Sequence, residues 1–111
     1  MSTSKLERTA WQTYFDHVSK TIDGRLAEIE INSLALGSQL QTKWVPLLGI
    51  TYDRKSDLIE IIVEGLDHMI RKPRDVYIEE NGTTLSSLEI IDSDNVRQIV
   101  RLRDPCLLPA A

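Results

Sequence analysis

Apolar residues recur on two different periods along this chain. Trp11, Tyr14, Phe15, Val18 and Ile22 stand at i, i+3, i+4, i+7 and i+11. That is one stripe on a 3.6-residue period, and it predicts an N-terminal helix. Ser4 with Glu7 three residues on has the form of a capping box. Asp23-Gly24 supplies a stop, because glycine takes the left-handed C′ conformation without strain. Three of the chain's aromatic side chains lie in this stripe, so the helix is expected to anchor the core.

From Arg25 onward the period is two. Ala27, Ile29 and Ile31 alternate with Leu26, Glu28 and Glu30, as in a half-buried strand. Gly37-Ser38 is a turn signal. Leu40, Thr42 and Trp44 share a face, and Pro46 marks an edge, bulge or bend because it cannot donate to a ladder. Leu48, Ile50 and Tyr52 continue as a strand. The polar loop Asp53–Asp57 leads into Leu58–Val63, which is dense in β-branched residues and predicts the return strand of a hairpin. A helix over Ser56–Ile70 competes, but the β-branched run and Gly65 disfavour it. Leu66, Met69 and Ile70 fall at i, i+3 and i+4 and predict a helical turn over residues 66–71, ended by Pro73. Asp75–Glu80 and Thr83–Ile91 form a hairpin about Asn81-Gly82, with a bulge expected at Ser86-Ser87. Val96–Leu102 is the last strand.

The expected fold class is therefore α+β. An N-terminal helix packs on a curved, mainly antiparallel sheet of about six to seven strands, with one short helical turn near residues 66–71. The connections are too short for parallel crossovers. The 111 residues suit a single domain over 1–111, with 1–4 and 106–111 expected to be flexible ends.

Composition narrows the function classes. A hydrophobic fraction of 41% and a charged fraction of 27% are ordinary for a globular protein. No apolar run reaches bilayer length, and the first residues lack a secretory h-region. The lone Cys106 cannot form an internal disulfide. These features lead to an expectation of a cytoplasmic protein with no membrane partner. A net charge of −4 argues against a nucleic-acid partner, which needs a positive field.

Two sets of residues could carry chemistry. Asp67-His68 with Asp53, Tyr52 and Asp92 is the enzyme-like set, since a carboxylate can orient an imidazole as base or ligand. Adjacent residues on a helical turn point about 100° apart, however, and no metal-ligand spacing is present. Asp67 as a cap and His68 as a backbone partner is the plainer reading. Arg71, Arg74, Arg97, Arg101 and Arg103, with Lys72, form the second set, a candidate anion-binding face. Cross-strand pairing with Glu79, Glu80 and Glu89 is its structural alternative. His17 lies beside the helix stripe and reads as a boundary residue. There is no G-x-S-x-G turn and no phosphate-cradling glycine loop, so neither metal nor cofactor is expected.

The strings Trp44–Asp53 (WVPLLGITYD) and Leu66–Pro73 (LDHMIRKP), with Ile29–Ile31 and Leu36–Gln39, resemble a small bacterial family of unknown function. The resemblance implies a single-domain bacterial protein and carries no catalytic residue with it. The leading expectation is a non-enzymatic interaction module whose partner is an unknown protein or a second copy. A two-fold dimer through an edge or loop is expected, with the Leu40–Trp44 strand near that edge. A small enzyme centred on Asp53, Asp67 and His68, and an anion binder using the arginines, are the alternatives.

Overall fold

The computed structural model describes residues 2–22 and 24–104. Eight strands run antiparallel in the order β1-β6-β7-β8-β2-β3-β4-β5. They are β1 (Ser2–Leu6), β2 (Leu26–Ser33), β3 (Gly37–Asp53), β4 (Leu58–Val63), β5 (Leu66–Arg71), β6 (Pro73–Asn81), β7 (Thr84–Asp92) and β8 (Arg97–Arg103). A 3₁₀ turn, Arg8–Ala10, leads into α1 (Trp11–Ser19), the one α-helix among the described residues.

This corrects the α+β expectation in three places. The described residues are mostly antiparallel sheet, with eight strands in place of six or seven and a single short helix. The helix spans nine residues and is preceded by a strand. The third change is at residues 66–71, which form β5 where a helical turn was expected. Each difference has a local cause. Ser2–Leu6 is polar and lacks apolar alternation, so only its pairing with Val76–Glu80 makes it a strand. The apolar spacing of Leu66, Met69 and Ile70 fits a helix, but Glu64-Gly65 forms a two-residue turn that folds β5 back on β4. Gly65 takes the positive φ (84°) that this turn needs. The expected flexible segment 106–111, with Cys106, lies outside the described residues, whereas Ser2–Ser4 fall within β1.

The sheet bends within β3. Its first half pairs with β2 and its second half, Leu47–Asp53, pairs with β4. Pro46 sits at the changeover, and Trp44 holds a positive φ of 50° beneath the Arg103 guanidinium, 4.0 Å from the ring centre. The bend leaves one side of the second half of β3 without a strand, and α1 lies there. The Ser19 hydroxyl stands in for a missing strand: it donates to the Ile50 carbonyl (2.8 Å) and accepts from the Ile50 N–H (3.0 Å). Trp11, Phe15 and Val18 face inward from α1, and Trp11 meets Tyr52 edge-on at 5.1 Å. They join Ile29, Ile50, Ile59, Ile61, Leu88 and Val100 in one apolar core.

Candidate interaction edge

Among the described residues the sheet presents three open edges: β1, the first half of β3, and β5. Edge strands expose unpaired N–H and C=O groups, so each is a potential template for another strand. The three edges are built differently.

At β1, the Leu6 carbonyl already accepts from the Trp11 indole N–H (2.9 Å). On β3, the register passes from Ala27↔Val45 to Ile29↔Thr42 and then to Glu30↔Leu40. Each step uses one more residue on β3 than on β2, so two bulges interrupt this half of the strand. Bulges and the outward Lys43 are devices that blunt an edge. β5 carries no bulge, and its outward charges, Asp67 and Arg71, are of opposite sign. Its six residues pair with β4 in unbroken register, from Val63↔Leu66 to Leu58↔Arg71.

The directions of the β5 backbone groups follow from the hairpin. The closing pair of a two-residue loop exchanges its own hydrogen bonds, so Leu66, His68 and Ile70 turn their polar groups toward β4. In agreement, the Glu64 N–H points the other way, to the Pro46 carbonyl (3.0 Å). Asp67, Met69 and Arg71 therefore turn N–H and C=O outward. Their side chains all lie on the outer face, where Met69 is 48% exposed. Neither Asp67 nor Arg71 has an ion-pair partner among the described residues. Glu60 on β4 lies beside Asp67, and a shared hydrogen bond with Asp67 pushes the Glu60 carboxyl above its usual range.

The end of β5 is pinned. Arg8 donates to the Pro73 carbonyl (2.7 Å), the Tyr52 hydroxyl (3.1 Å) and Asp57 (3.1 Å), and stacks 4.4 Å from the Trp11 ring centre. Tyr52 donates to Asp57 at 2.9 Å. Burial first, and then the Asp57 carboxylate, raise the Tyr52 phenol above its usual range. The Lys72 N–H adds a bond to the Asp57 carbonyl, and its own carbonyl accepts from Ser93. Three separate segments, at Arg8, Tyr52–Asp57 and Ser93, thus hold the β5–β6 junction in place. A cavity of about 320 Å³ beside this cluster is lined by Arg8, Gln12, Tyr52 and Arg54.

The residues singled out in the sequence are dispersed across this frame. Asp67 and His68 are neighbours on a strand, so they point to opposite faces. His68 faces the interior near the buried Gln98, and its Nε2 is buried without a hydrogen-bond partner among the described residues. Burial pulls its pKa down, partly offset by Gln98. Asp53 is the last residue of β3, where bonds from Ser56 and the Lys55 N–H in the following loop hold its carboxyl below the usual range. Asp92 accepts from the N–H groups of Asp94 and Val96. Tyr52 alone joins a cluster, the one with Arg8 and Asp57. Arg8 and Asp57 escaped the sequence reading because three segments far apart in the chain bring them together.

Arg97, Arg101 and Arg103 do share the outer face of β8. Arg97 pairs with Glu89 (2.5 Å), and Arg101 with Glu28 (3.1 Å) and Glu30 (2.9 Å). Arg74 bonds Asp75 and Asn95. Arg71 lies away from them, on β5. A groove of about 450 Å³ lies between α1 and the β6–β7 turn, lined by Tyr14, His17, Arg25, Glu80 and Thr84. Within it Tyr14 donates to Glu80 (3.1 Å), and Arg25 donates to the Leu85 carbonyl (2.5 Å). No group of three His, Cys, Asp or Glu residues among those described is placed to hold a metal ion. No helix among them is long and apolar enough to cross a membrane.

Comparison with known proteins agrees with the resemblance read from the sequence. The chain is 33% identical over 110 residues to an uncharacterised protein of Aquifex aeolicus (strain VF5), covering 98% of this chain and 99% of that relative. No solved structure matches. A family model matches residues 2–111, and the chain belongs to that family of unknown function, DUF5335.

Proposed function

We propose that this protein is a cytoplasmic interaction module that adds an extended strand of a partner to the β5 edge. The observation that supports the reading is the unbulged, register-locked free side of β5, with outward N–H and C=O groups on Asp67, Met69 and Arg71. Strand addition uses such main-chain groups for affinity and alternate side chains for selectivity. The pinned β5–β6 junction keeps the edge preformed, which lowers the ordering cost of binding.

Amide exchange tests it residue by residue. Protein is followed as its own concentration rises, and separately as extract of the source cells is added. Protection gained at Asp67, Met69 and Arg71, with Leu66, His68 and Ile70 already protected by β4, is the expected result. Exchange of the three outward amides at the unprotected rate under every condition contradicts the proposal.

A further inference from the structure

We infer that the strand β5 accepts is β5 of a second copy, paired antiparallel about a two-fold axis at Met69. The inference rests on the strand-addition reading above and specifies its partner.

The argument is one of self-complementarity. A two-fold axis through Met69 sets Met69 opposite Met69 of the partner, Asp67 opposite the partner's Arg71, and Arg71 opposite the partner's Asp67. These three positions are the ones whose backbone groups face outward, so every pair is a hydrogen-bonded pair. Residues directly opposite in such a pair lie about 5.5 Å apart at Cα, within reach of an ion pair. The two carboxylate–guanidinium pairs flank the exposed methionines and occupy charges that have no ion-pair partner within the described residues of one copy. The partner's Arg71 also brings positive charge to the crowded Glu60 and Asp67 carboxyls.

No neighbouring register does this. With the axis at His68, Asp67 faces Met69 and Arg71 faces Gly65. With the axis at Ile70, Asp67 faces Pro73. Both ion pairs are lost in either case. The contact is isologous, so it closes at two copies and leaves no further β5 edge. Pairing only Asp67–Arg71 of each copy buries less than the roughly 1,000 Å² of a stable dimer. Association is therefore weak and concentration-dependent, with a dissociation constant between about 1 µM and 1 mM.

Charge swaps on the full chain test the register. Asp67→Arg sets arginine against arginine in a self-pair, and Arg71→Asp sets aspartate against aspartate. Each variant alone should associate about tenfold more weakly or worse. Mixed one to one, the two variants restore both opposite-charge pairs, and sedimentation should show a heterodimer at wild-type strength. Circular dichroism confirms that each variant is folded. Equal association of the wild type and both single variants would overturn the inference, as would a mixture no stronger than its components. A wild-type mass that stays monomeric over a hundredfold concentration range overturns it too. If extract then protects the outward amides of β5, the strand-addition reading stands with a foreign partner.

Discussion

β5 and the first half of β3 are both edge strands, and they are managed in opposite ways. The β3 half is long, carries two bulges, and is held by β2 alone. Leu36 and Leu40 stand exposed at and beside it, with Leu34 at the tip of the β2–β3 turn. β5 is short, unbulged, and clamped at its end by Arg8, Asp57 and Ser93. The contrast teaches that exposed apolar area and a usable edge are separate properties. The first half of β3 with the β2–β3 turn, here the arm, exposes the larger apolar side chains, but its bulges break the register needed for pairing. The β5 edge exposes less apolar surface but offers aligned main-chain groups and balanced charge.

Stability measurements should divide along the same line. Trp11→Ala or Phe15→Ala removes the platform under the second half of β3 and should cost roughly 3–5 kcal/mol. Leu40→Ser on the arm should change stability by no more than about 0.5 kcal/mol. Denaturant unfolding reads both, and equal effects would erase the distinction between the anchored and free parts of β3. Arg8→Ala comes next, at about 1–2 kcal/mol, since it loses a carbonyl bond, a phenol bond and a half-exposed ion pair. Faster amide exchange at Ile70 and Lys72 in that variant would show that the clamp holds β5.

Individual elements of this frame were legible in the sequence, although the fold class was not. Leu58–Val63 forms β4 with the bounds its β-branched run suggests. The Ser86 bulge appears where the alternation slips, between Glu79↔Ser87 and Glu80↔Leu85. Pro46 marks the bend, as a residue without an N–H should. What was hidden depends on distant partners. β1 is a strand because β6 is beside it, and no local pattern in STSKL says so. At Leu66–Arg71, six residues are too few to separate a 3.6-residue from a two-residue period, and the Glu64-Gly65 turn decides between them. That one error also misplaced Asp67 and His68, which a helical turn would set about 100° apart and a strand sets on opposite faces.

Two smaller effects separate the inner and outer faces of β5. On the inner face, burial lowers the His68 pKa, so the unfolded chain binds the proton more readily than the folded one. Stability is then full above the unfolded value, about 6.5, and falls as pH drops below it. His68→Gln should flatten that acid limb in thermal melts at a series of pH values. On the outer face, the raised Glu60 pKa has the opposite sign: its cost is present at neutral pH and is relieved as pH falls through the carboxylate range. Glu60→Gln should leave stability equal or slightly higher at neutral pH. In wild type, the Glu60 titration midpoint should move down as concentration rises and the partner's Arg71 arrives. A midpoint independent of concentration would remove that coupling.

The most direct test sets the two edges against each other with one residue type. Proline removes an N–H and is tolerated at edges and bulges. Met69→Pro deletes the central outward donor of β5, whereas Gln41→Pro alters the bulged edge of β3. Sedimentation velocity on both, across a hundredfold range of concentration, should show Met69→Pro monomeric throughout and Gln41→Pro associating like the wild type. Loss of association in Gln41→Pro with its retention in Met69→Pro would contradict the account and move the interaction edge to the arm.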